Sequence, residues 1–179
     1  RATTLNLSAV GEVDVAPDMA TISLGVQTEA PTAQAAMQAN AQQMTRVMTA
    51  LNRAGIESRD IQTSNLNLSA QYDYVENQPP RLRGYQASNQ VTVKVRDLDR
   101  LGAAVDATVN AGANQINNIS FGLNDRSQAE NAARQAAVRD LQAKAQLYAQ
   151  ATGHRVGRLV TLSEGTSYSA PQPPMPYMA

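Results

Sequence analysis

Few side chains in this chain stand where acid–base, nucleophilic or metal chemistry would need them. The one histidine, His154, follows a glycine and has no acidic neighbour nearer in sequence than Asp140 and Glu164. A single imidazole in a chain without cysteine makes no usual zinc site, so His154 reads as structural or solvated. Glu12, Asp14 and Asp18 are near enough in sequence to raise calcium or paired-carboxylate chemistry. Yet Glu12 and Asp14 alternate with Val13 and Val15, which puts them on the solvated face of a strand, and calcium loops need more oxygen ligands at regular spacing. No serine lies in a Gly-x-Ser-x-Gly elbow, and Gly102, Gly112 and Gly122 are isolated, outside any phosphate-binding pattern. Met37, Met44 and Met48 share one helical face; reversible sulfoxide chemistry is one use of such thioethers, but the spacing fits core packing better. The expectation is a non-enzymatic protein with no catalytic, cofactor-binding or metal-binding residues.

Composition narrows the class further. The 179 residues carry 15 basic and 15 acidic side chains, so no net field draws the chain to nucleic acid or to an anionic membrane. No apolar run reaches the roughly 18 residues of a membrane span. The absence of cysteine excludes disulfides and thiolate chemistry. The chain opens at Arg1, which fits a removed signal peptide or a trimmed terminus. Lys94 and Lys144 are the only lysines, and solvation rests heavily on amides.

The elements that must carry these residues follow from periodicity. Leu5, Leu7, Ala9, Gly11, Val13 and Val15 alternate with polar partners, then Ala16-Pro17-Asp18 breaks the run, and alternation resumes at Ala20, Ile22, Leu24 and Val26. This pattern predicts an N-terminal β-hairpin. Pro31 opens a helix bearing Met37, Met44, Val47, Met48 and Leu51 on one face. Strands are predicted over Ile61 to Tyr74 and from Tyr85 to Val95, paired as a long hairpin around a loop from Glu76 to Arg83 that holds Pro79-Pro80. Asp97 is placed to cap a second helix, with Leu98, Leu101, Val105 and Val109, and a strand follows through Ile119, Phe121 and Leu123. Asp125 and Gln128 have the spacing of a capping box for a third helix, whose stripe of Ala133, Ala137, Leu141, Ala145 and Tyr148 is small enough for close approach. A last strand is predicted over Val156 to Leu162. Three joints, Ala54-Gly55, Ala111-Gly112 and Thr152-Gly153, mark where helices stop, because glycine accepts the left-handed backbone that closes a last turn.

From the second strand onward the order is β-α-β-β-α-β, the split βαβ arrangement, with one further αβ unit. The fold class is α+β, with a mixed sheet and helices mainly on one face, in a single domain over residues 1–164. Residues 165–179, rich in proline and methionine, are expected to be extended or disordered.

The outward strand faces are nearly free of charge: Thr21, Ser23 and Gln27, then Asn67, Ser69 and Gln71, then Gln86, Ser88, Gln90 and Thr92. The polar side of the first helix is similar, with Gln34, Gln38, Gln42, Thr45, Thr49 and Asn52. Interface cores are depleted of Lys, Glu and Asp, so these faces fit self-association.

Five segments together resemble the SIMPL-domain proteins: Gly11-Glu12-Val13 leading to Ala16-Pro17-Asp18-Met19-Ala20; Ala54-Gly55-Ile56 to Asp60-Ile61-Gln62-Thr63; Gly84-Tyr85-Gln86-Ala87-Ser88; Val95-Arg96-Asp97-Leu98; and Ala111-Gly112-Ala113-Asn114. The resemblance runs from about Leu5 to Glu164. It implies an exported bacterial envelope protein, periplasmic or associated with the outer membrane, of a type linked to oxidative-stress defence and, for some members, to large homo-oligomers. It carries over no catalytic residue. The expected function is self-association and a contribution to envelope or oxidative-stress tolerance. The alternative is a small-molecule-binding module with Tyr72, Tyr74 and Tyr85 as an aromatic wall.

Overall fold

The computed structural model describes residues 3–165, so the proline-rich segment expected to be extended or disordered lies almost wholly outside the described residues. Contacts divide the chain into two compact units, residues 13–131 and residues 3–12 with 132–165.

The first unit has the predicted β-α-β-β-α-β order: β1 (Met19–Ala30), α1 (Ala33–Arg53), β2 (Ile61–Asp73), β3 (Arg81–Val95), α2 (Leu101–Ala111) and β4 (Gln115–Gly122). Short 3₁₀ turns, Ser58–Asp60 and Leu98–Arg100, precede β2 and α2. The α+β class is borne out. The sheet order is β2-β3-β1-β4, and all three neighbouring pairs are antiparallel, which corrects the expectation of a mixed sheet. The reason is topological. β1 and β2 run the same way but β3 lies between them, and β3 and β4 run the same way with β1 between them.

The core forms where one sheet face meets α1 and α2. Ala20, Ile22, Leu24 and Val26 of β1 and Val91, Val93 and Val95 of β3 are fully buried against Met44, Val47 and Leu51 of α1 and Ala104 of α2. Each of the larger residues contributes roughly 1.5–3 kcal/mol by leaving water. Of the three methionines on α1, Met44 enters this core and Met48 packs against it. The predicted polar side of α1 faces outward, Gln34, Gln38, Gln42, Thr45, Thr49 and Asn52 all being exposed.

Helix ends follow local chemistry. Thr32 caps α1 by accepting the Ala35 N–H at 3.1 Å, Asp97 accepts the Asp99 N–H at 3.0 Å, and Asp125 accepts the Ser127 N–H at 2.9 Å. That last bond holds the Asp125 carboxyl below the usual carboxylate range. At all three predicted glycine joints φ is positive, and the next N–H reaches back to a carbonyl one turn inside the helix: Ile56 to Leu51, Ala113 to Thr108, His154 to Ala149.

Two predicted strands are corrected. Residues 5–15 enter no ladder, because both sides of β1 are taken by β3 and β4, leaving no N-terminal hairpin to form. Val156 to Leu162 likewise has no ladder and is exposed throughout. The loop expected from Glu76 to Arg83 is also shorter, since β3 begins at Arg81, directly after the second proline, where Arg81 pairs with Asp73.

The second unit is built on α3 (Ser127–Ala151), over residues 132–151 of that helix. Its small-residue stripe permits the predicted close approach: a Cβ at Gly11 would overlap the Ala133 carbonyl. The Lys144 ammonium donates to the Ser8 carbonyl at 3.4 Å, and Arg134 pairs with Glu164 at 2.5 Å. Gly11→Val is therefore expected to free residues 3–12 from the helix. Limited proteolysis should then cut that segment faster while the unfolding of the sheet unit is unchanged; equal cleavage of both proteins would refute the contact.

Candidate functional site

Four residues from separate connections converge at the end of the sheet where β1 begins and β3 ends. Asp60, with a side chain 7% exposed, takes bonds from Arg96 Nε at 3.1 and 3.0 Å and from Arg96 Nη2 at 3.0 Å. Arg96 Nη1 donates to Asn124 Oδ1 at 2.7 Å, and the Asn124 N–H donates to Asp18 Oδ1 at 2.9 Å. The Asp18 N–H in turn donates to the Gly122 carbonyl at 3.0 Å. The Arg96 hydrogen bonds hold the Asp60 carboxyl below its ordinary range against the opposing effect of burial, and the same bonds raise Arg96.

A hollow of about 110 Å³ adjoins this network, lined by Gly55, Ile56, Asp60, Lys94, Arg96, Arg100 and neighbours. Its guanidinium groups are matched: Arg59 to Glu57 at 2.6 Å, Arg96 to Asp60, and Arg100 to Asp97 at 3.6 Å. No hydroxyl side chain and no imidazole lines it, while Lys94 and the carboxylates of Glu57, Asp60 and Asp97 do. Such a cluster of ion pairs ties together the chain crossings at this end of the sheet.

A second groove, of about 200 Å³, is lined by Glu29, Ala30, Pro31, Gln71, Arg83, Gly84 and Tyr85. Arg83 reaches Glu29 at 3.3 Å and Asp73 at 3.7 Å. Of the three tyrosines considered as an aromatic wall, only Tyr85 lines this groove. Tyr72 pairs across the hairpin with Leu82, and Tyr74 is 77% exposed.

His154 is exposed, with its Nδ1 within 3.0 Å of Thr152 Oγ1. Glu12 and Asp14 are exposed, whereas Asp18 belongs to the network above. No group of three histidine or acidic side chains that could hold a metal ion occurs among the described residues.

Sequence reasoning missed Asn40, which is 1% exposed in the middle of α1. Its Nδ2 donates to the Val26 carbonyl at 2.9 Å and the Ala87 carbonyl at 3.1 Å, joining helix to both central strands. The signal was its place in the buried series Ala36, Asn40, Met44, Val47, Leu51. The Asp60–Arg96 pair was also missed, although both residues lie in segments that carry the family resemblance. Asn114, in another of those segments, uses its amide like a strand residue: Oδ1 accepts the Gln27 N–H and Nδ2 donates to the Gln27 carbonyl, each at 2.9 Å.

The outward sheet face holds the uncharged rows predicted. Across the strands, Gln62, Thr92, Ser23 and Asn118 align, as do Asn65, Gln90, Gly25 and Gln115, then Asn67, Ser88 and Gln27.

Comparison with known proteins is consistent across nearly the whole chain. It is 39% identical over 170 residues to the 26 kDa periplasmic immunogenic protein of Brucella melitensis, covering 93% of this chain and 67% of that one. It is 31% identical over 166 residues to the uncharacterized protein YggE of Edwardsiella ictaluri, covering 93% and 70%, and 29% identical to YggE of Escherichia coli K12, covering 93% and 67%. A solved Bacillus cereus protein related to NIF3 aligns with a TM-score of 0.36 at 14% identity, over 61% of this chain and 26% of that one, too distant to bear on fold or function. The profile of the SIMPL family (DUF541), described as a protein of unknown function, matches residues 5–179, and the chain belongs to that family.

Proposed function

We propose that this chain is a non-enzymatic, exported protein of the bacterial envelope that self-associates. The observation that carries the reading is the sheet unit's surface. Among the described residues neither edge strand has a further ladder partner; Leu66 of β2 and Phe121 of β4, each 54% exposed, lie on the helix-bearing side, and the opposite face has no central charge. Monomers usually blunt such edges with lysine, proline or a covering element. A periplasmic location is supported by the names of the Brucella relatives, and association with the outer membrane rests on the family resemblance alone. No helix among the described residues is long and apolar enough to cross a membrane. A contribution to envelope or oxidative-stress tolerance rests on the family resemblance alone. The non-enzymatic reading is supported by the ion pairs beside Asp60, where Arg59, Arg96 and Arg100 each hold a carboxylate of the hollow, Glu57, Asp60 and Asp97 respectively.

The test is the solution mass of the purified chain by light scattering over a concentration series. A mass of several subunits is expected. A single 19.1 kDa species at every concentration would overturn the proposal. It would shift attention to the groove beside Tyr85, where binding of a small molecule lost on Tyr85→Ala would favour the ligand-binding reading.

A further inference from the structure

We infer that the tip of the β2–β3 hairpin seats in the headgroup layer of a zwitterionic phospholipid bilayer. The envelope reading above places such a surface within reach, but neither it nor self-association enters the test. The register shows that the tip projects. β1 ends its pairing with β3 at Ala30 opposite Tyr85, whereas β2 and β3 go on pairing through Gln71 with Gly84, Tyr72 with Leu82 and Asp73 with Arg81. Past Gly84 the sheet is therefore a two-stranded ribbon, closed by residues 74–80. Its apolar side chains are bare. Tyr74 is 77% exposed, Val75 55%, Leu82 48% and Tyr72 46%, with Pro79 and Pro80 exposed beside them.

Two observations choose the partner. Only residues 72–82 project, short of the roughly 20–30 residues that a stable protein interface takes from each side. A narrow tip of this kind enters a soft layer more readily than it fills a protein groove. Charge is the second observation. The ribbon carries Asp73 and Glu76 with Arg81 and Arg83, two of each sign, so it has no net field for an anionic surface. Arg83 already holds Glu29 and Asp73, so the tip offers apolar contact more than charge. Tyrosine, apolar at its ring and polar at its hydroxyl, suits the boundary between headgroup and acyl chain, and arginine keeps its guanidinium in water while its stem lies along apolar surface. The headgroup layer also leaves water within reach of the backbone groups of residues 74–80, which a deeper position would not.

The sequence has no tryptophan, so Tyr74→Trp puts a single reporter at the tip. With phosphatidylcholine vesicles its emission is expected to shift to shorter wavelength. The reporter of Val109→Trp, at a position on α2 that is 50% exposed, is expected to stay unshifted. Tyr74→Ser combined with Leu82→Ser should weaken flotation of the chain with these vesicles by about tenfold or more, with its circular dichroism unchanged. An unshifted Tyr74→Trp, or equal shifts at both sites, overturns the proposal. So does binding that requires phosphatidylglycerol and is lost in high salt, which marks attraction by charge elsewhere on the chain. If vesicles leave the chain untouched and the double variant instead lowers its mass in light scattering, the tip is a contact between copies and the bilayer is excluded.

Discussion

Asn40→Asp is expected to lower the melting temperature of the sheet unit by about 15 °C at neutral pH, from a cost of about 4 kcal/mol. Asn40 is 1% exposed, and its amide supplies donors to two carbonyls, Val26 at 2.9 Å and Ala87 at 3.1 Å. A carboxylate in its place aims an acceptor at two acceptors and buries a charge without a cation. Two stranded carbonyls alone cost about 1–3 kcal/mol each, against a total stability of order 5–15 kcal/mol. Asn40→Ala strands the carbonyls without adding charge, so it should cost less than Asn40→Asp. The sign of the pH dependence separates them. Burial raises the introduced carboxyl above its unfolded value of about 3.9, so its penalty is complete above the raised value and disappears as pH falls below about 3.9. The aspartate variant should therefore approach the alanine variant, or exceed it, in acid. Melting within two degrees or so of wild type at pH 7 would show that Asn40 does not bind the sheet.

The second large effect belongs to Asp60 and Arg96, and it is asymmetric. Arg96→Met leaves the Asp60 carboxylate in a site only 7% exposed without its cation, whereas Asp60→Asn leaves Arg96, 40% exposed, open to water. Arg96→Met should lower the melting temperature by several degrees at pH 7, and by more than Asp60→Asn does. In the wild type the Asp60 carboxyl is depressed by Arg96, so its contribution is present above the unfolded value near 3.9 and is lost as pH falls through the lower folded value. Without Arg96 burial pushes the other way. The gap between wild type and Arg96→Met should therefore narrow from pH 7 to about pH 3. A gap that stays constant with pH, or a larger loss in Asp60→Asn, would refute the account.

Much of the architecture is legible in the residues, for identifiable reasons. Helix ends at Gly55, Gly112 and Gly153 are local events, and all three adopt positive φ. The long β2–β3 hairpin joins neighbours in sequence, so alternation around Pro79-Pro80 suffices to find it. Partner choice is non-local, and there periodicity misleads. Leu5 to Val15 alternates like a strand, yet β1 spends both of its sides on β3 and β4. The network was hidden for the same reason, since Asp18, Asp60, Arg96 and Asn124 are far apart along the chain and meet only once the sheet is ordered. Its residues and Asn114 nonetheless fall largely within the segments that carry the family resemblance. Four of those five segments stand where elements join, and the fifth, Gly84 to Ser88, lies within β3, so what identifies the family is structural and names no reaction.

The strand order sets when this protein can fold. β1 finds β3 only through pairs such as Ala20 with Val95, and β4 only through pairs such as Met19 with Gly122. A chain growing or emerging from its N-terminus thus carries an apolar strand with no mate until most of the sheet unit has appeared. Such distant pairings make folding slow, because loop entropy is lost before any contact repays it. The interval exposes Ile22, Leu24 and Val26 to whatever apolar surface is near, so the lifetime of the unpaired strand governs whether the newborn chain reaches its fold or an aggregate.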